Sequence, residues 1–205
     1  MIYRFVVFGL HVGAIFFFHL TVRGRKNLYK VGGAIMAVNH SSFMEPIFAG
    51  VACSRPLYYL TRKSLHENKF FGNWLMDVHG IPLNRDAPDS RAWKRVFSLL
   101  KRGRMIMMFP EGTRSPDGRL QPAKPGIGLI ALRARVPIIP VFVKGGYRIL
   151  PRHRKFPRLA KAGVFIGEPI YPDRWLNNKR PEKSDCQELA DLVMARIKEL
   201  GRKER

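Results

Sequence analysis

The sequence predicts an α/β fold: a single domain with a mixed, largely parallel sheet flanked by helices, preceded by an apolar, membrane-associated N-terminal helix. Three observations carry this expectation. Short continuous apolar runs suited to buried strands alternate with stretches of helical spacing. Polar clusters follow directly on several of those runs, where open α/β sheets place their ligand sites. The 205 residues, 46% of them hydrophobic, suffice for one core without disulfide staples. Residues 1–30 read as the N-terminal segment and residues 31–205 as the folded domain, with no repeat or linker dividing it.

The expected strands are Ala34–Val38 (AIMAV), residues 57–60 (LYYL), 80–83 (GIPL), 105–109 (MIMMF) and 137–143 (PIIPVFV). Trp93, Val96, Phe97 and Leu100 recur at i, i+3, i+4 and i+7, which predicts an amphipathic helix between two of them. Residues 126–135 and 185–200 predict two more helices, the last stopped by Gly201.

Residues 1–22 contain Arg4 as their only formal charge. As a helix they would be roughly 33 Å long, enough to cross a hydrocarbon core. No small-residue cleavage pattern follows, which argues against a secretory signal peptide. Arg23, Arg25 and Lys26 would lie on the cytoplasmic side. His11 and the run Phe16, Phe17, Phe18 suit an interfacial helix as well as a crossing one, and a buried core helix is the bland alternative.

Lys and Arg total 37 against 15 Asp and Glu, a net charge of +22. Such a surface meets polyanions: nucleic acid, anionic lipid or a phosphorylated substrate. No helix-turn-helix, zinc-finger or RNP pattern supports nucleic acid. Arg152, Arg154, Lys155, Arg158 and Lys161 belong to this basic excess, read as a contact for anionic lipid or an acidic carrier protein, or as a solvated face. Cys53 and Cys186 are the only cysteines, which fits a reducing compartment and excludes a disulfide scaffold. The histidines show no ligand spacing, and no metal is implied.

After AIMAV comes NHSSFMEP, residues 39–46. His40 and Glu45 have the chemistry of a base and the carboxylate that fixes its tautomer. On a regular helix they would stand about 140° apart, so the pairing requires His40 in a loop and Glu45 in the helix that follows. The competing reading is a capping box from Ser42 to Glu45. With Ser42 as N-cap, Pro46 would fall at the fourth helical position and leave a carbonyl without its partner. Neither Ser41 nor Ser42 sits in a Gly-x-Ser-x-Gly elbow, which disfavours a serine hydrolase.

After GIPL come Asn84, Arg85 and Asp86. Arg85 suits a phosphate or oxyanion, or merely pairs with Asp86. The stretch FPEGTRS, residues 109–115, is more specific. Gly112 removes a side chain where backbone must approach a ligand, Thr113 offers a hydroxyl, and Arg114 a second guanidinium. Glu111 either binds a substrate hydroxyl or holds Arg114. Lys124 then precedes a helix whose N-terminal amides face anions.

His40 and Glu45, Gly80 with Asn84 and Arg85, FPEGTRS, and VPIIPV at residues 136–141 stand in the order of four motifs of the lysophosphatidate/glycerolipid acyltransferase family, which the chain resembles over residues 34–143. The resemblance implies acyl transfer from an acyl-carrier protein or coenzyme A thioester, as co-substrate and without a cofactor, to a lipid hydroxyl at a membrane face. It implies lysophosphatidate as acceptor, with another lyso-lipid, an aminolipid precursor or a non-catalytic lipid-binding role as alternatives. By motif position His40 resembles the general base and Glu45 its orienting carboxylate. Arg85, Glu111, Gly112, Thr113 and Arg114 resemble the residues that hold glycerol phosphate. The family usually has Asp at position 45; Glu displaces the carboxylate by about 1.5 Å, and Glu45→Asp is expected to be tolerated or even activating.

Overall fold

The computed structural model describes residues 9, 12–28, 31–84, 87, 89–176 and 181–203. Its strands are β1 (Thr21–Arg23), β2 (Ala34–Val38), β3 (Leu57–Arg62), β4 (Gly80–Leu83), β5 (Met105–Met108), β6 (Ile138–Lys144) and β7 (Gly163–Ile166). Its helices are α1 (residues 12–18), α2 (Glu45–Ala52), α3 (Lys69–Asp77), α4 (Ser90–Lys101), α5 (Gly126–Ala134), α6 (Gly146–Ile149) and α7 (Lys183–Lys203).

The strands form one sheet in the order β1-β7-β6-β2-β5-β3-β4. Every pairing between these strands is parallel except β6 with β7. The sheet is therefore mixed and mostly parallel, as the alternating runs predict.

Strand β2 lies at the centre and is buried throughout. Its side chains alternate with the pleat: Ala34, Met36 and Val38 join a core with α1 and α2, while Ile35 and Ala37 join a core with α4, α5 and α7. Continuous apolarity is what a strand covered on both faces requires. Each sealed Ile or Met there contributes about 1.5–3 kcal/mol. The helical periodicity holds as well: Val96 and Leu100 are buried, with Trp93 and Phe97 packed half-buried beside them.

The N-terminal expectation needs correction. The apolar segment does not continue as helix to Val22: α1 stops at Phe18, and His19 takes a left-handed conformation with φ 43°. Thr21, Val22 and Arg23 instead pair with β7. β-branched Thr21 and Val22 fit a sheet edge, and the Thr21 N–H donates to the Ala162 carbonyl at 3.1 Å. Among the described residues, no helix is long and apolar enough to cross a membrane. Residues 1–8, 10 and 11, which include Arg4 and His11, lie outside the described residues.

Strand β7 and helices α3 and α6 have no counterpart in the expected elements. Strand β7 is four residues, Gly163–Ile166, followed by Gly167, and is too short for periodicity to distinguish from a loop.

Candidate active site

Both principal motifs leave the carboxyl ends of central, adjacent parallel strands, residues 39–44 from β2 and residues 109–115 from β5. Asn39 makes the exit possible. Its Oδ1 accepts from the Val143 N–H at 2.7 Å and its Nδ2 donates to the Val143 carbonyl at 3.2 Å. The side chain thus stands in for a peptide group and extends pairing with β6 while the main chain turns away.

His40 follows in the loop, gripped by its backbone. Its N–H donates to Glu111 Oε1 at 2.7 Å, and its carbonyl accepts from the Ser115 N–H at 2.7 Å. Its ring lies flat on Phe109, with centroids 3.6 Å apart and planes 10° from parallel. The stacking sets the plane of the imidazole, and the two backbone bonds hold the loop that carries it.

Glu45 is the first residue of α2 and is fully buried. Its Oε2 lies 3.3 Å from His40 Nδ1 and accepts from the Ser42 N–H at 2.7 Å. Its Oε1 accepts from the Ser41 hydroxyl at 2.7 Å and from the Ser41 N–H at 3.1 Å. The His–carboxylate pair therefore exists in the loop-then-helix arrangement that the spacing demands. The capping alternative is also partly realised, because Glu45 satisfies two backbone donors. The N-cap, however, is Met44 rather than Ser42, which puts Pro46 in the first turn, where no intrahelical donor is needed.

The longer Glu is built into this turn. Gly146 of α6 packs against it, and a Cβ there would come within 2.6 Å of Glu45 Oε1. Ser42 Oγ donates to the Leu150 carbonyl at 2.7 Å and accepts from the Met44 N–H at 3.0 Å, fastening the turn to the segment after α6.

Glu111 is buried, and both its oxygens accept backbone N–H groups, from His40 and from Gln121 at 2.9 Å. Burial pushes its carboxyl up to about 7, with a smaller contribution from the charge of Glu45; the two N–H donors oppose that rise. The carboxylate ties the histidine loop to residues 119–124.

Gly112 has φ 71°, a conformation that favours glycine, and a Cβ there would lie 3.0 Å from Lys124 Cδ. Lys124 is thereby brought beside Gly112 and the exposed Thr113, with its own N–H donating to the Pro110 carbonyl at 2.9 Å. Arg114 lies over Phe43, its Cζ 3.5 Å from the ring centroid, a cation–π contact. Arg85 lies outside the described residues.

An apolar groove of about 270 Å³ opens beside these residues, lined by Phe43, Ile47, Val51, Tyr59, Trp74 and Phe109 among others. Phe43 and Phe109, which carry Arg114 and His40, form its near wall. Cys53 and Cys186 are buried, and burial pushes both thiols above the ordinary range.

In the sequence Ser41 and Ser42 read only as hydrolase or cap candidates and Asn39 only as part of the polar strand end; their hydrogen bonds make them the scaffold of the pair. Phe43 and Phe109 carried no signal of their own beyond standing inside the two motifs.

The Acyltransferase family model matches residues 19–144, spanning β1 to the end of β6. The chain belongs to that family. An acyltransferase of this kind is 28% identical over 183 residues in Bacillus subtilis, where it is a 1-acyl-sn-glycerol-3-phosphate acyltransferase; the match covers 89% of this chain and 88% of that protein. A chloroplast 1-acyl-sn-glycerol-3-phosphate acyltransferase of Brassica napus is 32% identical over 160 residues, covering 76% of this chain and 46% of its own length. The crystal structure of a 1-acyl-sn-glycerophosphate acyltransferase from Thermotoga maritima superposes with a TM-score of 0.78 at 22% identity, covering 98% of this chain and 81% of that one, and establishes the shared fold.

Proposed function

We propose that this acyltransferase moves a fatty acyl group from a thioester to the free hydroxyl of lysophosphatidate, giving phosphatidate. The observation that carries the reading is His40 Nδ1 at 3.3 Å from the buried Glu45 carboxylate, at a strand end beside Arg114 and an open apolar groove.

The steps balance without an acyl-enzyme. His40 Nε2 takes the hydroxyl proton while Glu45 stabilises the imidazolium that forms. The alkoxide adds to the thioester carbonyl, the C–S bond breaks, and the thiolate leaves with the proton returned from His40. Neither buried cysteine takes part. Lys124 and Arg114 bind the acceptor phosphate together with Arg85, and Gly112 lets the backbone approach it. Glu111 holds the histidine loop, and the groove seats an acyl chain between Phe43, Val51 and Phe109.

The B. subtilis, B. napus and T. maritima proteins, all named for the same acceptor, support this choice. Exposed Phe16 and Phe17 on α1 and Phe70 and Phe71 on α3 support a site held at a membrane, and we place it on the cytoplasmic face. The donor is either acyl-coenzyme A or acyl-carrier protein.

The test is an acceptor panel of lysophosphatidate, glycerol 3-phosphate, other lysophospholipids and an aminolipid precursor, each assayed with both thioester types. Thiol release and acylated product should both be greatest with lysophosphatidate. Preference for an acceptor without phosphate would overturn the assignment, and lipid binding without thioester consumption would make the chain a non-catalytic member.

A further inference from the structure

The acyl-transfer chemistry leaves one surface unexplained. Residues 152–161, RHRKFPRLAK, join α6 to β7 at the same rim of the sheet as His40. Arg152, Lys155, Arg158 and Lys161 are exposed and Arg154 half-buried. Between Asp117 and Glu168 the sequence contains no Asp or Glu at all. Among these cations two large apolar side chains project into solvent: Phe156 is 79% exposed and Leu159 76%. A merely solvated basic face does not account for them.

The stretch is fastened at both ends. The Arg158 N–H donates to the Ile149 carbonyl at 2.8 Å, and the Ala162 N–H to the Phe18 carbonyl, at the end of α1, at 2.9 Å. Immediately before it, the Leu150 carbonyl accepts from Ser42 Oγ at 2.7 Å and from the Phe43 N–H at 3.3 Å. The basic loop is thus hydrogen-bonded at its base to the turn that carries the His40–Glu45 pair, and at its end to the apolar α1, where Phe16 and Phe17 are exposed.

We propose that residues 152–161 are an interfacial anchor for an anionic bilayer, with Phe156 and Leu159 below the headgroups and Arg152, Lys155, Arg158 and Lys161 against lipid phosphates. Apolar tips in a cationic field match the two layers of such a surface, acyl boundary and phosphate plane. Docking there sets the active-site rim at the depth where a lipid hydroxyl is found. The proposal builds on the bilayer acceptor read above, and a water-soluble short-chain lysophosphatidate separates failure of one from failure of the other.

The experiment measures partition of the full chain onto vesicles of phosphatidylcholine alone and of phosphatidylcholine with phosphatidylglycerol. A Phe156→Cys variant carries an environment-sensitive fluorophore, the native Cys53 and Cys186 being buried. The label should shift to the blue and be quenched by chain-labelled lipid on anionic vesicles. Phe156→Ser with Leu159→Ser should lower partition about tenfold or more. Lys155→Gln with Arg158→Gln should remove about 30-fold of the preference for anionic vesicles. Turnover of the soluble acceptor should stay at the wild-type level in all of them. An unchanged label on vesicle-bound protein, wild-type partition of the variants, or their loss of soluble-acceptor turnover would each overturn the anchor. Label insertion in a chain that leaves the soluble acceptor untouched would support the anchor and sink the acyl-transfer reading.

Discussion

Replacing Glu45 by Asp separates motif resemblance from the geometry of this chain. The family's usual Asp predicts tolerance; the hydrogen bonds predict a loss. Shortening the side chain withdraws the carboxylate by about 1.5 Å, the length of one C–C bond. Contacts now at 2.7 Å to the Ser41 hydroxyl and Ser42 N–H, and at 3.1 Å to the Ser41 N–H, cannot all survive that retreat. Bonds to an ionised group contribute about 1.5–3 kcal/mol each, so losing two removes about 3–6 kcal/mol from a stability typically of 5–15 kcal/mol. In a chain of this size that lowers the melting temperature by about 6–24 °C. Loosening the His40 contact from 3.3 Å also slows turnover, by about tenfold or more. Thermal unfolding by circular dichroism and thiol release from the donor measure the two effects. A melting temperature within about 2 °C of wild type, with full turnover, would refute the reasoning.

Three further outcomes are expected. Arg114→Ala should raise the acceptor KM more than the donor KM, since its guanidinium is assigned to the phosphate; the opposite ranking in a two-substrate kinetic analysis would reassign the loop. Glu111→Gln should flatten the stability profile near neutrality. The native carboxyl, raised from 4.5 to about 7, holds its proton where the unfolded chain has lost it, so its contribution is present at acid pH and lost as pH rises through about 7. Melting curves from pH 5 to 8 should show wild type losing ground to the variant, and parallel profiles would contradict this. Val51→Phe, which fills the apolar groove, should shift the donor preference to shorter acyl chains, and an unchanged chain-length profile would place the acyl group elsewhere.

The central fold was legible because its physics is local. AIMAV and MIMMF are continuous runs, and burial on both faces of a parallel sheet demands that pattern. The His40–Glu45 pair was legible because only a loop-to-helix transition brings i and i+5 together. The N-terminal boundary was not. Hydropathy registers Thr21 and Val22 as a continuation of the apolar segment, while their place is fixed by pairing with β7, a partner about 140 residues away in the chain. The N-cap of α2 escaped for a related reason. Ser42 has the chemistry of a cap, but its hydroxyl is committed to Leu150 beyond β6, and the N-cap falls two residues later, at Met44. The role of Glu111 as a brace also required coordinates, since its partners are backbone N–H groups of His40 and Gln121 that no side-chain pattern reports.

The most direct test of the central claim is turnover by His40→Ala with lysophosphatidate and a saturating acyl thioester. Loss of the base should lower kcat by about 10²–10⁴-fold while the circular dichroism spectrum and melting temperature stay near wild type. A folded His40→Ala protein that still acylates lysophosphatidate within a few-fold of the wild-type rate would contradict the account.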